Sequence, residues 1–462
     1  MIPPQLAASR IERDEGVRRA YAADASGLLM VPDGVARPTS AAEVAALLAE
    51  SSANGTAVTC AGGQTSTTGA SISDTGIVLS LRGMDRVLDL DPRSRTVRAE
   101  PGVFVGELKR ACAAHGLLLA PDPTSEEECT LGGAVACNAS GARTFRYGAT
   151  RPHVRALKVA LADGSIVELR RPALEKNTVG YALAHDPVDW FIGSEGTLGV
   201  VVEVELGLLP LPEQVIGLAI PFATEQDALA FIVSARESRR VHPRCLEFFD
   251  RRALGIAREA ESTPGWATDA DAFVYVEEVP PTGTPAALDE WLELAVQQGA
   301  LADDVNVYEG EASLREARRV RHAVPATMNE RGSARRVHGG RKVSTDWAVP
   351  YARLGEMLAK ARTFADIAGI EQAVTYGHAG NGHPHQNFIA HDADELRRIE
   401  AVVEQTLREV IAMGGTVAAE HGIGKIKRKW LPLQMSPLQV RTMQAVKREL
   451  DPAGILAPGN VL

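Results

Sequence analysis

Apolar residues recur at helical spacing through "SAAEVAALLAESSANG" (Ser40 to Gly55), with a serine before the first turn and a glycine after the last. That pattern predicts a capped amphipathic helix. "TAVTCAGG" follows with a strand pattern that ends in glycines, and "GIVLSL" and "TVRAEPG" continue an alternation of the βαβ type. "VGELKRACAAHG" predicts another helix closed by glycine, and "VRALKVALADGSIVEL" predicts a hairpin, two β-patterned runs joined by Asp163-Gly164. "GVVVEVELGLLPLP" alternates as one long strand, and its prolines mark a boundary near residue 212.

From Val215 the pattern restarts. "TEQDALAFIVSARESR" is helical, "AFVYVEEV" is a strand and "PAALDEWLELAVQQG" is a helix with an acidic start. This order predicts an α+β domain with helices covering an antiparallel sheet. A charged helix, "EASLREARRVRHAVPATMNERG", precedes a strand, "VSTDWAVP". Two more helices, "LGEMLAKARTFADIAG" and "DELRRIEAVVEQTLREVIAMGG", flank the histidine-rich "YGHAGNGHPHQNF" (Tyr376 to Phe388). The sequence contains no internal repeat and no low-complexity tract.

Composition narrows the function classes. A chain of 462 residues predicts two or three domains. Its 45% apolar and 23% charged content is that of an ordinary globular protein. A net charge of −10 argues against a nucleic-acid partner. Five cysteines, at 60, 112, 129, 137 and 245, form no CxxC pair, which predicts reduced, buried thiols rather than disulfides or an iron–sulfur cluster. The N-terminal "MIPPQLAASRIERDEG" lacks a basic head and apolar run, so no signal peptide is expected. No apolar run approaches the roughly 20 residues of a membrane helix. The expectation is a soluble, cytoplasmic protein without an integral membrane segment.

Candidate chemistry lies in two kinds of segment. "AGGQTSTTGAS" (Ala61 to Ser71), "PDPTSEEECTLGGAVACNASGARTFRYG" (Pro121 to Gly148) and "GSEGTLG" (Gly193 to Gly199) are rich in small residues, which let backbone N–H groups approach anionic oxygens. None has the nicotinamide-fold or P-loop spacing, and a phosphate-bearing, dinucleotide-sized cofactor is their natural guest. The second kind is the histidine stretch. On a strand, His383, His385 and Asn387 would share a face, with His378 before a glycine turn. Ordinary polar loop histidines fit that stretch equally well. "GGTVAAEHGIGKIKRKW" adds Glu420 and His421 side by side, a costly pair to bury unless it binds something. Two histidines and a carboxylate suit an open Zn²⁺ or Mn²⁺ site.

The glycine-rich segments, with "GSEGTLGVVVEVELGLLP", are similar to the signature of the vanillyl-alcohol-oxidase/p-cresol-methylhydroxylase flavoprotein superfamily. Within it the chain resembles the FAD-linked D-2-hydroxyacid dehydrogenases, through to a terminal "LDPAGILAPGNVL". The resemblance implies an α+β, two-domain flavoprotein: an FAD-binding domain of the PCMH type at 1–212, an antiparallel-sheet substrate (cap) domain at 213–435, and a segment 436–462 returning to the FAD domain. It implies non-covalent FAD, its pyrophosphate on Gly62, Gly63, Gln64, Thr65 and Ser66. It implies flavin and diphosphate contacts at Pro121, Asp122, Thr130, Gly132, Gly133, Asn138, Ser140 and Gly141, with Glu195, Gly196, Gly199 and Asn460 completing the site. Gln64 stands where many members carry glycine, Thr67 replaces an aliphatic residue and Ala70 a glycine.

The same resemblance implies His378, His385 and Glu420 as metal ligands and His421 as catalytic base, with Asn387 in the catalytic set. His383 departs from the family's usual Asn. Arg321, with Lys342 second, is the expected guanidinium or ammonium for a substrate carboxylate. The implied reaction is metal-assisted oxidation of a D-2-hydroxy acid of the D-lactate, glycolate or D-2-hydroxyglutarate type to its 2-oxo acid, with hydride passing to flavin N5. Electrons would then leave to an electron-transfer flavoprotein, cytochrome or quinone, and a homodimer is one assembly to test. The alternatives are a flavin-dependent transferase of the alkyl-glycerone-phosphate-synthase type and a flavoprotein subunit of a larger redox complex.

Overall fold

The computed structural model describes residues 11–181, 185–260 and 265–462. The N-terminal stretch read for a leader lies, up to residue 10, outside the described residues. The chain forms two compact units. One holds the chain up to Gly141, Gly148–Leu211 and Glu420–Leu462; the other holds Ala142–Tyr147 and Pro212–Ala419. The return to the first unit thus begins at Glu420, earlier than the sequence-based 436, and a short insert, Ala142–Tyr147, belongs to the second unit.

In the first unit, the helix Ala41–Asn54 is capped by the Ser40 side chain and ends at Gly55 with φ 67°. Its buried residues Val44, Leu47, Leu48 and Ser51 keep the i, i+3, i+4, i+7 spacing of one face. That face packs with Val58, Leu79, Ile455 and Leu456 in one apolar cluster. A four-stranded sheet runs in the order Ile11–Glu12, Gly34–Ala36, Ile77–Ser80, Val58–Ala61, with its last two pairings parallel. The βαβ reading holds for this sheet only. Thr96–Ala99 joins a separate antiparallel sheet ordered Val87–Asp91, Thr96–Ala99, Val200–Gly207, Val154–Ala160, Ile166–Arg170. The expected hairpin is its Val154–Ala160 and Ile166–Arg170 pair, with Gly164 at φ 84° in the turn. The C-terminal segment is tied to the first sheet, since Val58 N–H donates to Ile455 O at 2.8 Å and Ala457 N–H to Val58 O at 2.8 Å.

The second unit is built on a seven-stranded antiparallel sheet. Its order is Asn306–Glu309, Ile216–Phe222, Ala272–Glu278, Pro243–Asp250, Val374–Gly377, His385–Asp392, Gly339–Ser344. The helix Gly310–Ser333, which runs through Pro325, contributes Ala317, Val324 and Met328 to a cluster with Phe249, Phe273, Tyr275 and Tyr376 on one sheet face. Two strand readings change. The edge strand ends at Ser344, so "TDWAVP" is extended chain with one bridge, Ala348 to Thr416. The histidine strand starts at His385, so His383 lies in the preceding turn, where its N–H donates to His378 O at 3.2 Å.

Burial pushes the thiols of Cys60 and Cys137 up to about 12 and those of Cys112 and Cys129 up to about 11. Because the thiolate is the nucleophile and Cys112 and Cys129 are also buried, native protein at pH 8 should resist alkylation at these two positions, while urea-unfolded protein labels fully. Mass spectrometry after iodoacetamide reads the difference, and rapid native labelling at either of the two would contradict their burial.

Candidate active site

The first unit brings the three small-residue segments together. A Cβ on Gly62 would lie 2.1 Å from Thr130 Oγ1, one on Gly63 1.9 Å from Glu128 O, and one on Gly141 1.8 Å from Asp122 O. Only glycine allows these close approaches, to a side-chain hydroxyl at Gly62 and to backbone carbonyls at Gly63 and Gly141. Each segment also contains a non-glycine residue in the left-handed region: Gln64 at φ 57°, Asn138 at 51° and Glu195 at 51°. Such conformations cost energy and cluster at functional sites. The backbone N–H groups of Gly63, Gln64, Thr65 and Ser66 donate to no protein acceptor among the described residues. Four consecutive donors around a left-handed turn make an anion-binding concavity, which fits a pyrophosphate.

Several of the expected cofactor residues use their side chains to shape these loops. Thr130 Oγ1 caps the helix Leu131–Cys137 by accepting from Gly133 N, and Asn138 Oδ1 accepts from Arg151 N at 2.9 Å. Asp122 pairs with Lys109 at 2.8 Å. Gln64 Nε2 donates to Ala23 O at 2.9 Å, and Ser66 Oγ accepts from Thr68 N at 3.2 Å. Gly132 N donates to Pro101 O at 2.8 Å. Pro121, Gly196 and Gly199 lie within the same loops as backbone positions, Gly196 with φ 74°.

The Glu195 side chain is engaged by the protein's own backbone. Its carboxylate accepts from Ile423 N at 2.5 Å and from Gly424 N at 2.7 Å, so it holds the chain directly after Glu420 and His421. Burial raises its pKa even though these N–H groups pull the other way. Asn460 supports the same loop, accepting from Lys425 Nζ at 2.7 Å and donating to Ala70 O at 2.8 Å. Ser140 Oγ donates to Glu420 Oε2 at 3.4 Å, and His421 Nε2 lies 3.3 Å from Glu420 Oε1.

The second unit gathers the remaining candidates on one sheet face. The pairings Tyr376 to His385, Val374 to Asn387 and Ser344 to Asn387 put His385 and Asn387 on the face covered by the helix Gly310–Ser333. The imidazoles of His378, His383 and His385 cluster, with ring centroids 4.7 to 5.5 Å apart. Asn387 is 1% exposed, and neither atom of its amide has a protein partner among the described residues. A buried amide in that state calls for a ligand or water. Lys342 Nζ donates to Asn329 Oδ1, and burial lowers its pKa to about 8.

Sequence reasoning missed Glu247. This carboxylate, 1% exposed, accepts from His378 Nδ1 at 2.7 Å and pairs through its other oxygen with Arg321 Nε at 3.0 Å. Burial alone would raise its pKa, but His378 and Arg321 hold it below the usual range. An ionised carboxylate can only accept, so His378 Nδ1 carries a proton, and in the neutral imidazole Nε2 then presents its lone pair. That is the arrangement that suits a metal-binding imidazole. Asp346 plays a looser role beside His383. Its Oδ1 lies 3.2 Å from His383 Nε2 without hydrogen-bond alignment. A glutamate three positions after an arginine in "PRCLEFFD" gave no motif signal, and only the sheet pairing brings it to His378.

Residues 32–170 match the FAD binding domain family, and residues 211–461, more than half of the chain, match the C-terminal domain of the FAD linked oxidases. The chain belongs to the FAD-linked oxidases. It is 31% identical to the glycolate oxidase subunit GlcD of Bacillus subtilis, over 93% of this chain and 89% of that protein. It is 30% identical to a D-2-hydroxyglutarate dehydrogenase of Xanthomonas citri, with the same coverage. A D-lactate dehydrogenase of Anaerostipes hadrus is 31% identical, again over 93% and 89%. Among solved structures, an alkyldihydroxyacetonephosphate synthase matches with a TM-score of 0.73 at 18% identity, covering 99% of this chain and 82% of that one. That likeness concerns the fold. This FAD-linked oxidase is therefore an α+β flavoprotein oxidoreductase, with a PCMH-type FAD-binding domain and a second domain on an antiparallel sheet. No helix among its described residues is long and apolar enough to cross a membrane.

Proposed function

We propose that this FAD-linked oxidase converts a D-2-hydroxy acid to the 2-oxo acid and passes the electrons to a separate acceptor. The observation that carries the reading is the Glu247 bridge, which holds His378 Nδ1 at 2.7 Å and Arg321 Nε at 3.0 Å through one carboxylate. A metal-ligating imidazole and a carboxylate-binding guanidinium oriented by one group suit a substrate with adjacent hydroxyl and carboxylate. The relatives named for glycolate, D-lactate and D-2-hydroxyglutarate support the same class.

Bound FAD supplies the hydride acceptor, with its pyrophosphate on the Gly62–Ser66 turn. His378, His385 and Glu420 would ligate a divalent ion, Zn²⁺ or Mn²⁺, which would supply Lewis acidity toward the hydroxyl. His421 takes the hydroxyl proton, Arg321 and Lys342 bind the carboxylate, and the Asn387 amide orients the substrate oxygens. Glu195 positions the Glu420–His421 segment through Ile423 and Gly424.

The test is anaerobic flavin bleaching with a panel of D- and L-2-hydroxy acids, with and without chelator. Bleaching by D-acids that chelator suppresses is the expected result. Bleaching by no member would overturn the reading, and bleaching indifferent to chelator would remove the metal from it. A second expectation concerns pH. Lys342, with its pKa near 8, loses its charge above that pH, so kcat/KM should fall there through a rising KM. A Lys342→Met variant should start from a higher KM and lose that limb; an unchanged pH profile would take Lys342 out of the carboxylate site.

A further inference from the structure

Beside the Glu247 bridge, the same sheet face carries a second buried carboxylate, Glu277, 2% exposed. Three arginines converge on it. Arg143 Nε donates to Oε2 at 3.0 Å, Arg244 Nε to Oε2 at 2.6 Å, and Arg318 Nε approaches Oε1 at 3.4 Å. Tyr275 O–H also donates to Oε1, at 3.1 Å. Both oxygens are thus engaged, and the contacts of Arg244 and Arg318 with Glu277 use their Nε alone.

Resting on the proposed 2-hydroxy acid chemistry, we infer that Arg244 and Arg318, with Arg143, form a subsite for the second carboxylate of a dicarboxylic 2-hydroxy acid. The first argument is charge. Arg244 is 5% exposed, and neither Arg244 nor Arg318 has any other hydrogen-bonding or ionic side-chain partner among the described residues. Even with Arg143 set aside, two guanidiniums share one carboxylate. A structural ion pair needs one arginine, and the buried Arg244 completes it; Arg318, 34% exposed, adds a second positive charge without a carboxylate of its own. An anionic ligand supplies that counter-charge and takes the terminal N–H groups, which match a carboxylate in fork geometry. Glu277 stays ionised in this setting: burial would raise its pKa, yet the three arginines hold it well below the usual range.

The second argument is local geometry. The pairing of Pro243–Asp250 with Ala272–Glu278 shifts between Pro243 and Cys245, which makes Arg244 the extra residue of a β-bulge. In a regular strand, Arg244 would point away from the face that carries Cys245 and Glu247. A bulge re-aims a side chain at a cost in ladder pairing, and here it delivers Arg244 to Glu277. The third argument is spacing. Cys245 pairs with Glu277 and Glu247 pairs with Tyr275, so Glu247 and Glu277 are diagonal neighbours, roughly 7–8 Å apart. One helical turn separates Arg318, on Glu277, from Arg321, on Glu247. Two carboxylate-binding groups one turn apart suit an acid with carboxylates at both ends of a short chain.

The experiment uses FAD-loaded full-length protein and compares 2-hydroxyglutarate with 2-hydroxypentanoate, its equal in chain length without the second carboxylate. The expected kcat/KM ratio favours the dicarboxylate by on the order of 100-fold or more. Arg318→Met and Arg244→Met should collapse that ratio through KM for the dicarboxylate rather than through kcat. Arg318 is the safer site for folding, with a third of its side chain exposed. Glutarate should raise the Tm of the wild type, and this shift should vanish in Arg318→Met. Oxidation of both acids at equal efficiency, with no glutarate shift, would overturn the subsite and leave the proposed reaction standing. A glutarate shift lost in Arg318→Met, without oxidation of any hydroxy acid, would uphold the subsite and overturn the reaction.

Discussion

Replacing His421 with alanine should reduce the rate of flavin bleaching by 2-hydroxy acids by roughly 100- to 10,000-fold, the usual contribution of a positioned general base. FAD should stay bound. The proposed pyrophosphate turn at Gly62–Ser66 is shaped by Gln64, Ser66 and the Thr130 approach, and none of those contacts involves the His421 side chain. The main-chain path past His421 is set separately, by Glu195 on Ile423 and Gly424 and by Asn460 on Lys425. Three readouts separate base from scaffold: FAD content after gel filtration, reduction by dithionite, and reduction by substrate. The base assignment requires the first two to be unchanged and the third to be lost. Loss of FAD would make His421 structural, and retained substrate reduction would pass the base role to another group.

The fold was readable wherever local pattern and tertiary demand agree. The helix Ala41–Asn54 carries its cap, its stop and its buried face in sequence, and the hairpin around Gly164 carries its turn. The strand Pro243–Asp250 was not readable. All eight of its residues are buried, yet Arg244, Glu247 and Asp250 break any apolar alternation. Two of those breaks, Glu247 and Arg244, are the side chains that meet His378, Arg321 and Glu277, so features that hid the strand also give the face its chemistry. The small-residue loops were recognisable as a group, but the division of labour inside them was not. Glu195 and Asn460 are expected at the cofactor site from where they stand in a motif, and their side chains hold the protein's own backbone and Lys425. A motif records which residues are needed at a site and leaves open whether each touches the ligand or the loop that does.

Glu247→Ala should be the most damaging substitution in the second unit, because one carboxylate serves two functional side chains. Its loss leaves the Arg321 guanidinium, 13% exposed, without that counter-charge, and breaking a buried pair in this way costs about 3–5 kcal/mol. It also removes the acceptor that orients His378 Nδ1, and with His378 as the proposed metal ligand this should lower metal affinity by about 10- to 100-fold. Lower Tm, lower zinc or manganese content and a raised KM for the hydroxy acid should therefore appear together. Glu247→Gln separates the effects. The amide keeps one acceptor oxygen, so it can satisfy His378 Nδ1–H or Arg321 Nε–H, while its NH₂ faces the other donor. Metal content should then survive with a raised KM, or KM should survive with reduced metal content, but not both. A Gln variant that matches wild type in both measurements would show that the two contacts at 2.7 and 3.0 Å do not govern the site.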